Sequence, residues 1–386
     1  MRILMKHIKH TKPNSHLISS KLMGYTIQFK DMNHTRIIFP THGFSQPAST
    51  FSQQAGEWGG NVLGALCFST DAAESREQMS TETPCVHVPL HRLDAGDSVC
   101  EIWHGKADVT QGQQGDIHYR CDGEVLFGSI TLSEARFEGS GDKTPLQQAT
   151  EIAYTQVFTL LDTLDYPYLF RFWNYMADIN GHSDGLERYQ QFTLGRHDAF
   201  LTHGRDVVGD IPAACALGTA GGPLTIAFLA GHVEPLSIEN PRQISAYQYP
   251  QQYGPRSPTF SRASLVRLQQ DEVLFISGTA SVVGHATLHA GDVAAQTRET
   301  MANIEAVLAE ANRVDNQPGF DLASLNYRVY VRHPADLEMI HTELARYVGS
   351  ALKVAYIQAD VCRQDLLLEI EATALLPFEI KSGHKN

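Results

Sequence analysis

Positive charge is scarce in this chain: 30 Lys and Arg stand against 43 Asp and Glu, a formal net charge of −13 at pH 7. That balance disfavours nucleic acid and anionic membrane surfaces as partners. It leaves room for an anionic small molecule, provided the site supplies its own local cations. Long apolar runs are missing as well, and none approaches the roughly 20 residues of a membrane span. Residues 1–12 are basic but have no apolar core or cleavage pattern, so no secretory leader is read there. The six cysteines (Cys67, Cys85, Cys100, Cys121, Cys215, Cys362) are scattered without metal-like spacing, and none of the 18 histidines falls in an HExxH pattern. No metal is expected, and the cysteines fit a reducing, cytoplasmic compartment.

At 386 residues and 42% hydrophobic composition there is ample material for a core and two domains. The organising feature is an internal repeat. Glu124-Val-Leu-Phe-Gly-Ser129 recurs as Glu272-Val-Leu-Phe-Ile-Ser277. Each copy reads as a short strand, a Gly-containing loop, then an amphipathic helix over 146–161 or 293–311, then another strand, 168–175 or 327–332. Two copies of a small α+β unit are predicted, with mixed sheets and helices packed on one face. The boundaries are 1–94 for an N-terminal extension with strands, 95–250 for a first, non-catalytic module with substrate-binding loops, and 251–386 for a second, catalytic module.

A hairpin near the end of the chain carries the chemistry. Its second arm, 366–374, is apolar and rich in strand formers, yet it holds Glu369 and Glu371. Two residues apart on a strand, they face the same side. A buried carboxylate is costly unless paired or functional, and an edge strand with one solvated face is the bland alternative. Aligning 218–230 with 360–372 places Ala220 opposite Cys362 and Ala227 opposite Glu369. The first copy closes the same scaffold without these groups, which argues that the second carries them for chemistry.

Cations come from loops. Arg188 and Arg196, with Arg242, Arg256 and Arg262 in a Pro- and Tyr-rich bridge over 239–264, adjoin the two copies. Single arginines of this kind commonly end in surface salt bridges. In the company of Tyr189, Tyr247, Tyr249 and Tyr253, they read together as an anion-recognising pocket. Gly278, in Ser277-Gly-Thr-Ala-Ser281 at a strand end, allows close approach of a ligand or backbone, with Ala280 beside it.

Residues 260–380 resemble the RidA/YjgF-like fold, a trimer-forming α+β module, through Thr259-Phe-Ser-Arg-Ala263, Phe275-Ile-Ser-Gly-Thr279, the segment 296–308 and Glu369-Ile-Glu371. The wider span 100–380 resembles the chorismatases. The carriers are Phe172-Trp-Asn-Tyr175, Gly185-Leu-Glu-Arg-Tyr189, Glu239-Asn-Pro-Arg242, Tyr253-Gly-Pro-Arg-Ser-Pro258, Ser277-Gly-Thr-Ala-Ser-Val-Val-Gly284 and Gln358-Ala-Asp-Val-Cys-Arg363. The first 100 residues carry little of it. The resemblance implies an enzyme that removes the enolpyruvyl group of chorismate and releases pyruvate, with no cofactor. One branch of the family gives a dihydroxycyclohexadiene carboxylate by hydrolysis; another gives 3-hydroxybenzoate, sometimes with 4-hydroxybenzoate.

The family's catalytic glutamate falls on Glu369, and the cysteine of the benzoate-forming branch on Cys362. Tyr189, Arg196, Tyr249, Arg262, Gly278 and Ala280 are the expected substrate contacts. The carboxylate-binding arginine of simple RidA proteins falls at about Val354, so this chain must hold acid groups with its loop arginines. A RidA-type enamine or imine deaminase and a non-catalytic metabolite-binding module are the rival readings. The expected partner is the small molecule chorismate, and the expected assembly a monomer or small homo-oligomer in the cytoplasm.

Overall fold

The computed structural model describes residues 26–31, 61–70, 84–94, 98–106, 108–138, 142–269, 271–315 and 319–377. The first sheet has four strands, β1 (Thr26–Asp31), β2 (Val62–Ser69), β3 (Cys85–Val88) and β4 (Ser98–His104), in the order β1-β4-β2-β3. Residues 98–103, which the boundary at 95 assigns to the first module, therefore belong to this N-terminal sheet. Cys67 and Cys100 stand opposite each other on β2 and β4 and are joined by a disulfide. This corrects the reading of the cysteines as scattered thiols: strand pairing brings together residues 33 apart in the chain.

The first module begins with β5 (Thr110–Gln114), β6 (Ile117–Cys121) and β7 (Val125–Leu132). Helix α1 (Pro145–Leu164) follows, with Thr144 accepting a hydrogen bond from the Gln147 amide at its N-cap and Pro145 at the first helical position. After β8 (Tyr168–Ala177) comes α2 (Arg188–Thr202), then β9 (Ala213–Thr219) and β10 (Leu224–Gly231). Residues 186–204 read from sequence as part helix, part loop, because the segment has no clean apolar stripe. The helix forms because its inner face packs on α1. Gly195 lies against the Gln147 carbonyl, where a Cβ would overlap.

The second module repeats the plan with β11 (Leu236–Ile238), β12 (Ala263–Arg267), β13 (Asp271–Thr279), α3 (Val293–Asp315), β14 (Asn326–Val331), α4 (Leu337–Val348), β15 (Lys353–Gln358), a two-residue β16 (Asp360–Val361) and β17 (Leu368–Pro377). The sheets run β5-β6-β7-β10-β8-β9 and β11-β12-β13-β17-β14-β15, the same order strand for strand. β16 leaves its own module and pairs with β9 of the first, extending that sheet to seven strands. β17 lies between β13 and β14, so the edge-strand alternative is corrected: both its neighbours are paired.

The helices of each module cover one face of its sheet. The other faces of all three sheets meet in a single core that includes Leu66, Phe68 and Trp103 from the first sheet, Phe127, Trp173 and Ala227 from the second, and Phe275, Tyr330 and Ile357 from the third. No helix of the described residues is long and apolar enough to cross a membrane.

Buried charges cross this core. Arg328 on β14 donates to Glu371 on β17 (2.5 Å) and to Glu101 on β4. Arg171 on β8 donates to the other oxygen of Glu371. Tyr330 donates to Glu371 at 2.7 Å, and Trp103 donates to Glu101 at 2.9 Å. One hydrogen-bonded group thus ties all three sheets together. Removing a single partner would leave a buried charge uncompensated, the costly case for such pairs.

Candidate active site

At the junction of the two modules lies a pocket. Its wall takes Tyr189, Phe192, Thr193 and Arg196 from α2, Ala214, Cys215 and Ala216 from β9, Pro258, Thr259 and Phe260 from the bridge, and Gly278, Cys362 and Glu369 from the second module. Five residues expected from sequence therefore come together: Glu369, Cys362, Tyr189, Arg196 and Gly278. The crossing of β16 onto β9 is what carries Cys362 to the first module's side. An apolar cleft with a few convergent polar groups is the usual form of a small-molecule site.

Glu369 is 4% exposed, and its Oε1 has no hydrogen-bond partner among the described residues. Burial, and then the charge of Glu371, push its carboxyl up to about 8, against the opposing pull of Arg171. It is therefore mostly protonated at neutral pH. Burial alone would raise Glu371 too, but Arg328, Arg171 and the Tyr330 hydroxyl hold it below the ordinary carboxylate range. Two carboxyls on one strand face are thus driven into opposite states. Gly278 stands directly beside Glu369: a Cβ there would overlap Oε1, so the glycine gives the carboxyl its room.

Cys362 lies at the mouth of the turn before β17. Burial, then the nearby Glu369, push its thiol up to about 12, so at neutral pH it is a neutral S–H. So held, it can stand beside the substrate as a polarisable group, but it offers no thiolate to act as a nucleophile.

The five loop arginines separate cleanly. Arg188 pairs with Glu134 and Arg242 with Glu299, while Arg256 is exposed. Arg196 is 4% exposed and forms no ion pair among the described residues; its Nε and Nη2 have no hydrogen-bond partner. Its guanidinium lies over the rings of Tyr154, Phe172 and Phe200 at 5.1, 5.4 and 5.4 Å. A desolvated cation held by aromatic faces, with free donors at a pocket wall, is built to meet an anion.

Arg262, Tyr249 and Ala280 are placed differently from the expectation, one layer behind the wall. Arg262 donates to the Ile244 carbonyl at 2.8 Å and the Tyr249 hydroxyl at 2.9 Å, and it lies over the ring of Phe260, the residue that reaches the pocket. Ala280 packs with Val361, Leu366 and Cys362. The Pro-rich bridge forms only two short 3-10 turns, 246–248 and 251–253, and Arg363 lies over the Tyr253 ring at 4.1 Å.

Cys215, Phe192, Thr193 and Phe260 were not singled out from sequence; nothing in their local pattern sets them apart from core residues. Arg171 and Arg328 were also missed, though a signal existed. They hold matching places in the repeat, opposite Leu229 and Glu371 on strands that correspond. Arg328 of the second-module sheet sits one strand away from Val354, where simple RidA proteins would have their arginine.

Comparison with known proteins gives a consistent answer. Residues 101–230 match the family described as "Chorismatase FkbO/Hyg5-like, N-terminal", and residues 258–376 match "Endoribonuclease L-PSP". A chorismatase of Streptomyces rapamycinicus is 36% identical over 295 residues, 74% of this chain and 86% of the relative. A 3-hydroxybenzoate synthase of Streptomyces hygroscopicus is 38% identical over 287 residues, 71% of this chain and 81% of the relative. A chorismatase crystal structure superposes with a TM-score of 0.75 at 31% identity, covering 91% of this chain and 98% of the other.

Proposed function

The chain belongs to the chorismatase family, and on that footing we propose that it cleaves the enolpyruvyl ether of chorismate to give 3-hydroxybenzoate and pyruvate. One observation carries the reading: Glu369 is a carboxylic acid kept protonated at neutral pH, facing a pocket with one oxygen unbonded. An enol ether is cleaved by protonating its methylene carbon, which needs such an acid. The Glu369 proton goes to the methylene, an oxocarbenium ion forms, and the carboxylate left behind stabilises it. Arg196 receives a substrate carboxylate through its unbonded donors, and Tyr189 borders the same space. Arg262 and Tyr249 support the wall through Phe260. In the benzoate course a hydroxyl of the substrate's own ring takes the place of water: its oxygen bonds to the cation, the bond from that carbon to the retained ring oxygen breaks, and the new oxygen leaves with pyruvate as its own bond to the ring breaks. The hydroxyl proton passes to the retained oxygen and a ring C–H proton returns to Glu369, so chorismate gives hydroxybenzoate and pyruvate without added water. Attack by water on the same cation gives the hydrolysis product instead.

The test is turnover of chorismate by the purified protein, with products separated by chromatography. Equimolar 3-hydroxybenzoate and pyruvate are expected. Pyruvate with only the dihydroxycyclohexadiene carboxylate would assign the hydrolase course, and untouched chorismate would defeat the reading.

Cys362, on the wall of this pocket, biases the partition without serving the protonation. Cys362→Ala, which restores the residue of the first copy, is expected to keep releasing pyruvate while the aromatic share of product falls. A tenfold change in partition needs only about 1.4 kcal/mol between two barriers. The ratio of hydroxybenzoate to pyruvate measures it. An unchanged ratio would reduce Cys362 to packing, and loss of pyruvate release would put it in the first step.

The assembly read with this function is a monomer. The N-terminal sheet packs into the same core as both modules and so covers sheet faces that another copy would otherwise have to cover. Sedimentation of the full chain should return the mass of one chain, and a dimer or trimer mass would contradict this. The proposed location is the cytoplasm. The Cys67–Cys100 bridge is fully buried there, shielded from cellular thiols.

A further inference from the structure

Glu371 shares a strand face with Glu369, yet it does not line the pocket. Its carboxylate is clamped by Arg171, Arg328 and Tyr330, and Arg328 is itself held by Glu101 of the N-terminal sheet. Two residues along one face of β17, it stands about 7 Å from Glu369 by strand geometry. The clamp fixes a negative charge at that distance in a desolvated core. We propose that Glu371 is a positioning residue whose fixed charge adds to burial in holding Glu369 in its acid form at working pH, and that Arg171 is the counterweight limiting that effect. The inference rests on the reading of Glu369 as the proton donor.

The surroundings support a purely electrostatic link. Glu369 meets Glu371 on its own strand, Arg171 from β8, Cys215 from β9, Tyr189 and Arg196 from α2, and Cys362 from the turn. Burial raises Cys215, Tyr189 and Cys362, so all three are neutral at pH 7. Arg196 faces the substrate space, where a bound carboxylate would answer its charge. Of the fixed charges inside the protein core, Glu371 favours the proton on Glu369 and Arg171 opposes it. The two modules share this device unequally. Arg171 and Arg328 are matching arginines of the repeat, and only the second copy supplies the acidic strand position, Glu371 against Leu229.

The experiment is the pH profile of kcat/KM for chorismate in wild type, Glu371→Gln and Arg171→Gln, each checked for folding by thermal denaturation. Activity carried by protonated Glu369 is lost as pH rises through its pKa. Removing the negative neighbour lowers that pKa, so the alkaline limb of Glu371→Gln should move to lower pH by about one unit or more. Removing the positive neighbour should move the limb of Arg171→Gln to higher pH. Glu371→Gln leaves two arginines short of a partner and is the variant more at risk of misfolding. Arg171→Gln keeps Glu371 bonded to Arg328 and Tyr330, so the inference stays testable through it alone. A limb that stays at the wild-type position in a folded variant, or shifts against these directions, overturns the inference. A wild-type profile with no alkaline limb would instead overturn Glu369 as the acid.

Discussion

Glu369→Gln is expected to lower kcat by about two orders of magnitude or more, the usual cost of losing a general acid, with the protein folded. Gln keeps the shape and the strand, and the site asks little else of the side chain, since Oε1 bonds to nothing among the described residues. Replacing a buried, largely protonated carboxyl by a neutral amide also removes no charge at neutral pH, so the N-terminal sheet and both modules should stay as stable as before. What disappears is the transferable proton. Steady-state pyruvate release under saturating chorismate is the measurement. Because only kcat should collapse, substrate affinity by equilibrium binding should change little. Activity within a few-fold of wild type would remove Glu369 from the mechanism.

Arg196→Lys should cost about 10- to 100-fold in kcat/KM, the loss of a charged, forked hydrogen bond worth about 1.5–3 kcal/mol. The ammonium keeps the charge but cannot present two parallel donors, and it fits the three aromatic faces around Arg196 less well than a flat guanidinium. Both Nε and Nη2 lack partners now, so the substrate is their natural acceptor. If the effect falls on KM with kcat intact, Arg196 binds ground state and transition state alike. A silent substitution would move the anion contact elsewhere, and Arg262 behind Phe260 would be examined next.

The sequence made the repeat legible because strand and helix patterns recur in the same order, and the two sheets follow that order strand for strand. It also made Glu369 legible: a carboxylate in an apolar strand is a local contradiction, and the first copy shows the strand closing with Ala227. The N-terminal sheet was only partly legible, since its pairing of residues 26–31 with 98–104 joins distant segments with no shared pattern. Helix α2 was blurred because the face that lines the pocket carries Thr193 and Arg196 beside Phe192, which breaks up a simple apolar stripe.

Within the site, the elements close in sequence to the repeat were found, and those set by packing were not. Arg262 and Tyr249 look as available as Arg196 along the chain. Only the fold shows that Phe260 takes the place at the wall. The division between Glu369 and Glu371 was invisible for the same reason: they share a face, and what separates them is the arginine pair contributed by two other strands.

The most direct test is the protonation state of Glu369 itself. The infrared difference spectrum between wild type and Glu369→Gln, recorded across pH, isolates its carboxyl band. A protonated carboxylic acid present at pH 7 and lost with a midpoint near 8 is the result the account requires. A Glu369 already ionised at pH 6 and above would contradict it, because no acid would then stand ready at the pocket wall.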